Sequence, residues 1–262
     1  MHVHTDNSPD GNHSAIFICE QAQLKGLRAI AFTDHCEVDA YKKDGYDKSM
    51  FQAYFDITKA KSIFKGNLIV LTGIELGQPA YDKELAEKIL SLYKYDIVIG
   101  SIHNLRNKED FYFLDYKENN VDELLEEYFK EVYEMVKWNG FDTLAHLTYP
   151  LRYIKGENGI DVDMGKYMDI IDEILKLLAK NGKALEINTS GLRQKINSLL
   201  PDEDIIKRFK SFGGEFVTIG SDAHYANDVG AGVFDGMATA RACGFENVTL
   251  FQKRFPVTVP IE

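Results

Sequence analysis

The sequence predicts an α/β fold, a single domain in which helices cover a mostly parallel sheet, open or closed into a barrel. Three observations carry this. Short β-branched runs alternate with amphipathic helical stretches almost throughout, the signature of repeated strand–helix crossovers. Glycines stand where helices should stop, just before the next strand. The 262 residues, 45% hydrophobic and 27% charged, suffice for one full core, and no linker, repeat or low-complexity tract divides them.

In chain order, strands are expected at residues 1–4, RAIAFT (28–33), LIVLTGI (68–74), DIVIGSI (96–102), DTLAHL (142–147), KALEIN (183–188) and FVTIGS (216–221), with a further one at NVTLF (247–251). Between them, VDELLEEYFKEVYEMVKW (121–138) and YMDIIDEILKLLAK (167–180) place apolar residues three and four apart, giving each helix one buried face. Gly26, Gly66, Gly140 and Gly182 occupy the helix-stop positions.

Composition excludes several classes. No apolar run approaches the ~20 residues of a membrane span. The N-terminus lacks the basic and apolar regions of a secretory signal. Cys19, Cys36 and Cys243 are odd in number and far apart, so they read as packing residues in a reducing compartment. A soluble, cytoplasmic protein is expected, with no membrane partner. The net charge of −11 argues against a nucleic-acid surface, which would be basic. It leaves a small phosphorylated substrate open, because divalent cations would invert the local field.

Of the seven histidines, His2, His4, His35, His103, His146 and His224 fall at or just past the C-terminal end of an expected strand, and only His13 does not. Asp34, Glu75 and Asp222 hold equivalent places. Active sites of parallel α/β proteins form at that end. One histidine there is more often a hydrogen-bonded structural residue than a ligand. So many beside carboxylates would be costly to bury unless paired or bound to metal. Residues two apart on a strand point the same way, so His2 and His4 can grip one ion, and Asp222 and His224 can face one site. In T-D-H the neighbours diverge: either His35 or Asp34 is the ligand and the other stands behind it. Imidazoles and carboxylates without thiolates suit zinc, manganese or iron.

The ordered set H-x-H-T-x-x-S-x-D-G (2–11), T-D-H (33–35), G-x-E (73–75), S-x-H (101–103), A-H (145–146) and S-D-A-H (221–224) resembles the PHP family, for polymerase and histidinol phosphatase. The resemblance covers essentially the whole chain. It implies a distorted (β/α)7 barrel, matching seven main strands, and three divalent metal ions. One would be held by His2, His4, Asp222 and a bridging Glu75, a second by Glu75, His103 and His146, and a third by His35, His224 and Asp10. Many relatives have histidine at the position of Asp10.

Such a cluster suits metal-assisted phosphate ester hydrolysis, with a hydroxide bridging the ions that share Glu75 attacking phosphorus in line. Asp34, Asp222 or a metal-bound water could protonate the leaving group. Arg152, in YPLRY, and Arg193, in NTSGLR, lie on the catalytic side and can bind phosphate. Ser190 and Asn188 are weaker candidates for orienting the site, and Glu186 is either core or a support behind the ligands. Within the family, E-I-N-T-S-G before the final S-D-A-H is most similar to the stand-alone histidinol-phosphatase type, acting on L-histidinol phosphate in histidine biosynthesis. The alternative is a phosphoesterase for nucleotides or another small phosphate ester. A third reading is a metal-holding domain without catalysis.

Overall fold

Unbroken apolar runs form the sheet. In a computed structural model describing residues 1–261, β3 (Ile69–Gly77) buries every residue but Ile69, and β4 (Ile97–Ser101), β6 (Ala184–Asn188) and β7 (Val217–Gly220) are buried throughout. Burial on both faces is the mark of a parallel sheet covered by helices. β1 (Ala29–Phe32) and β5 (Thr143–Leu144) complete the order β1-β3-β4-β5-β6-β7, all parallel, and β2 (His35–Glu37) adds to the far half of β3. The outer layer comprises α1 (Ala15–Leu24), α2 (Tyr46–Ile63), α3 (Lys83–Leu92), α4 (Val121–Trp138), α5 (Met168–Lys180), α6 (Glu203–Ser211) and α7 (Val233–Ala242).

Two expected strands differ. Residues 1–4 are not a strand but a clasp between the sheet's edges. Thr33 N donates to Val3 O (2.8 Å) on the β1 side, while Asp222 N donates to His2 O (2.8 Å) and His4 N to Ala223 O (3.0 Å) on the β7 side. The sheet is thereby drawn round into a distorted barrel, and its seventh strand is β2. Residues 247–251 do form a strand, β8 (Asn247–Gln252), but it pairs antiparallel with β9 (Phe255–Pro260). The hairpin tip reaches the N-terminal ends of β4 and β5. Lys253 N donates to Asp96 Oδ1, Arg254 N to Asp96 O, and the Arg254 side chain bonds Asp142 and Gly140 O. Phe251 packs with Ala31, Leu71, Ile97, Ile99, Ala145 and Ala184, filling that end of the barrel.

The helix stops hold at Gly26, Gly66 and Gly182, with φ of 75°, 90° and 63°. At the end of α4 the left-handed residue is Asn139 (φ 64°), one position before the expected Gly140. All three cysteines are free and buried, as packing residues should be. Among the described residues no helix is long and apolar enough to cross a membrane.

Candidate metal centre

The clasp and the strand ends deliver the polar side chains to one point. Glu75, fully buried in β3, lies in register with His35 of β2. His103 and His146 follow β4 and β5, and Asp222 and His224 follow β7. The left-handed backbone of Asp222 (φ 49°) is strained for a residue with a side chain, a strain that concentrates at functional sites. Gly220 precedes this turn because nothing larger fits: a Cβ there would lie 2.0 Å from Glu186 Oε1.

Glu75 is the hub. Its Oε1 lies 3.1 Å from His103 Nε2 and 3.1 Å from His146 Nε2. Its Oε2 lies 3.1 Å from His2 Nε2, 3.0 Å from His35 Nδ1 and 3.5 Å from His4 Nε2. Asp222 Oδ1 is 3.3 Å from His4 Nε2 and 3.7 Å from His2 Nε2. Asp10, the most exposed member at 58%, sits at the rim with Oδ2 3.1 Å from His224 Nε2 and Oδ1 3.7 Å from His35 Nε2.

The residues fit divalent ions on their own evidence. His2 Nε2, His4 Nε2, His35 Nδ1 and Glu75 Oε2 are buried without a hydrogen-bond partner, and all point at this one spot. Orphaned buried polar atoms are costly, and a cation removes the cost. Donor atoms fall into overlapping groups within 4.8 Å: His2 with His4 and Asp222; His2 with Glu75 and His146; His35 with Glu75 and His103; His4 with His35 and His224. Here His35 reaches Glu75 and His103 as well as the Asp10 side. Electrostatics agree. Burial pushes the Glu75 carboxyl up, but His2, His103 and His35 outweigh it and hold it well below the usual range. Burial likewise disfavours charge on His103, yet Glu37 and Glu75 raise it to about 10. The cluster calls for positive charge.

Behind the donors, partners fix the rings of His2, His4, His103 and His224 so that one nitrogen faces inward, the arrangement that orients metal-binding imidazoles. Glu186 Oε1 lies 2.7 Å from His2 Nδ1, and Glu186 Oε2 accepts from His146 N (2.8 Å). Ser8 Oγ lies 3.2 Å from His4 Nδ1, and Asp222 O lies 3.1 Å from His224 Nδ1. Glu37 Oε1 lies 3.0 Å from His103 Nδ1, and the inward His35 Nδ1 also comes within 3.3 Å of it. Glu37 escaped the sequence reading. Its signal was H-x-E at 35–37, two residues on one face of a strand too short to recognise. Its Oε2 has no partner and sits where a Cβ on Gly77 would fall, so only glycine is accommodated there.

Three candidates are placed differently from one another. Asp34 faces away from the donors: Thr5 N (2.6 Å) and Ser8 Oγ (2.8 Å) donate to Oδ1 and Thr5 Oγ1 (2.9 Å) to Oδ2, bracing the loop after the clasp. Of the pair left open in T-D-H, His35 is the one whose ring reaches Glu75. Arg193 is likewise engaged elsewhere, donating to Ser221 O (2.7 Å) and Asp222 O (2.8 Å) and pairing with Asp228 at 3.4 Å. Arg152 starts a wide helical turn (Arg152–Glu157) and reaches the cluster's edge, donating to Asp222 Oδ2 (2.9 Å) and Ser190 Oγ (2.8 Å), with its Nε unpartnered. His13 accepts from Ala226 N and packs near Phe17 and Tyr225, outside the centre.

Comparison with known proteins agrees with this geometry. A family model described as "PHP domain" matches residues 1–190. A protein of Clostridium acetobutylicum named "Probable histidinol-phosphatase" is 32% identical over 97% of this chain and 96% of its own. One of the same name from Thermotoga maritima is 31% identical over 100% of this chain and 98% of its own. Among solved structures, a histidinol phosphate phosphatase of Lactococcus lactis, complexed with zinc, L-histidinol and phosphate, superposes with a TM-score of 0.80 at 23% identity, covering 98% of this chain and 97% of that one. A chain with this barrel, these donors and matches of this extent belongs to the PHP domain family.

Proposed function

We propose that the protein is a metal-dependent phosphomonoesterase that hydrolyses L-histidinol phosphate to L-histidinol and phosphate. The observation that carries the reading is the convergence of five histidines on the two oxygens of Glu75, with Arg152 at the edge. The relatives' names point to this ester.

The reading has three divalent ions, zinc, manganese or iron, held by His2, His4, Glu75 and Asp222, by Glu75, His103 and His146, and by His35, His224 and Asp10. When bound, they supply Lewis-acid stabilisation of the phosphoryl oxygens and activate water at neutral pH. The chain's own residues do the rest. Glu186, Ser8, Glu37 and the Asp222 carbonyl keep the inward nitrogens of His2, His4, His103 and His224 aimed. Arg152 contributes a fixed guanidinium for the phosphate oxygens. Asp222, its carboxyl held well below the usual range by the facing histidines and Arg152, stays ionised between Arg152 and Ser190 and would serve as a donor to the ions, the leaving oxygen taking its proton from water. Asp34 instead serves as a brace, and Arg193 holds the Ser221–Asp222 backbone.

A panel of phosphate esters, tested with each of the three metals supplied, decides the matter. For L-histidinol phosphate kcat/KM should exceed that for aryl or sugar monoesters by at least ~100-fold, about 2.7 kcal/mol of preferential transition-state binding. A nucleotide preferred over it overturns the substrate and leaves a phosphoesterase. No turnover of any ester leaves a metal-holding domain without catalysis.

A further inference from the structure

The segments that bring His35, Glu75 and His103 to the centre run on to line a second cavity, of ≈ 700 Å³. Lys42, Lys43, Lys88, Arg106 and Lys108 all line it. None of the five has a carboxylate within ion-pair distance among the described residues. The two carboxylates in the lining are committed elsewhere. Asp39 accepts from Asn104 Nδ2 (2.9 Å), and Asp82 caps α3 by accepting from Leu85 N (2.9 Å). Glu131 of α4 feels the charge of Arg106 without pairing with it. Arg106 lies 4.1 Å above the ring of Tyr81, which holds its guanidinium in place. On a chain of net charge −11, five exposed cations set against the two carboxylates of the lining leave an excess of three positive charges round one cavity without an internal counter-charge. A multiply charged anion supplies it.

We propose that this cavity binds a small molecule carrying two or more phosphate groups, apart from the metal centre, and that its occupancy is felt at His103. Two banks of cations favour more than one phosphate: Lys42 and Lys43 follow β2, whereas Lys88 lies on α3 and Arg106 and Lys108 follow β4. The route inward is short. Tyr81, beneath Arg106, donates its hydroxyl to Asn104 O (3.1 Å), Asn104 also holds Asp39, and the next residue back is His103. A ligand that shifts Arg106 and Tyr81 therefore acts on the backbone that sets a ring 3.1 Å from Glu75.

Calorimetry of the zinc-loaded protein with fructose 1,6-bisphosphate and with adenosine 3′,5′-bisphosphate tests this, both probes being weaker metal chelators than polyphosphates. At least one should bind, and the double substitution Lys88→Gln with Arg106→Gln should weaken it at least ~10-fold while kcat/KM without ligand stays within about twofold. Tighter binding of the adenosine compound assigns a nucleotide source, and equal binding a phosphate-only one. Arg152→Ala should leave the binding intact. If it weakens binding as much as the double substitution does, or if the double variant binds like the parent, the ligand sits on the metal centre and the proposal fails. Tyr81→Phe should retain binding but lose any change in kcat on ligand addition. A persisting change would overturn the route through Asn104. The turnover arm rests on the histidinol phosphate reading; the binding arm does not, so the two fail separately.

Discussion

Glu75 is the residue on which the site depends most, because both of its oxygens serve histidines from different elements. Glu75→Gln should therefore lose more bound metal by elemental analysis than His224→Asn at the rim. Equal, mild losses across all donor substitutions would deny the bridging role. The two arginines should separate as their contacts do. Arg152→Ala should lower kcat/KM for every phosphomonoester together by about 10²–10³, the usual cost of one donor to a developing charge. Arg193→Ala should instead act on folding. It leaves Ser221 O without its donor and Asp222 O with His224 Nδ1 alone, and the denaturation midpoint should report a loss of about 2 kcal/mol. Most donors were legible in the sequence because metal chemistry restricts residue type and because strand ends mark position. The supports were legible only in part: Glu186 was read as either core or a support behind the ligands, whereas Glu37 lies on a strand too short to recognise. Arg193, like Arg152, follows a leucine just past a strand end but has a different reach. Nothing in a linear pattern distinguishes a guanidinium aimed at a ligand from one aimed at a neighbouring carbonyl.

Among the elements, the β8–β9 hairpin shows how far a motif's apolar content can mislead about pairing. The run at 247–251 has the composition of any barrel strand, but Lys253 and Arg254 turn the chain with φ of 52° and 70° and pair it with itself. The tip then serves buried carboxylates at the barrel's N-terminal end. Burial pushes Asp96 up, but hydrogen bonds from Lys61, Thr72 N and Lys253 N outweigh it and hold its carboxyl below the usual value. A depressed native pKa means that the unfolded chain takes up a proton first. The stabilisation is thus complete above the unfolded value of about 3.9 and is lost as pH falls through the lower native one. Denaturant midpoints measured against pH should show this acid-side slope in the wild type and a shallower one in Asp96→Asn. Identical slopes would mean that these bonds do not hold the Asp96 carboxyl below its usual value. Helices α4 and α5 matched their sequence patterns closely, since long amphipathic periodicity is a strong signal. β2 and β5, of three and two residues, are set by neighbours rather than by their own composition.

At the scale of the whole molecule, the clasp and the metal centre are one device. The barrel was legible from strand–helix alternation, yet the closure was not, because residues 1–4 join both edges of the sheet with a few backbone bonds rather than a ladder. His2 and His4 sit in that clasp, Asp222 and His224 on the β7 side of it, and His35 just past the β1 side. Ions gripped by these residues would tie the two edges together from within. Without them, buried imidazoles and carboxylates face one another with orphaned nitrogens, and the joint rests on the backbone bonds of the clasp. Binding to the native state alone stabilises by RT ln(1 + [L]/Kd), about 4 kcal/mol at a thousandfold excess over Kd. Removing metal with a chelator should therefore lower Tm by several degrees, and the loss should be uneven. Hydrogen exchange should quicken most at the amides of His4, Thr33 and Asp222, whose bonds make the closure, and little in α4 and α5 on the opposite side of the core. Re-addition of zinc or manganese should restore protection at those three amides together. Uniform quickening across the helices would mean that the ions stabilise the fold as a whole and that the closure has no special dependence on them. No change at the three amides would mean that backbone bonding alone holds the barrel shut.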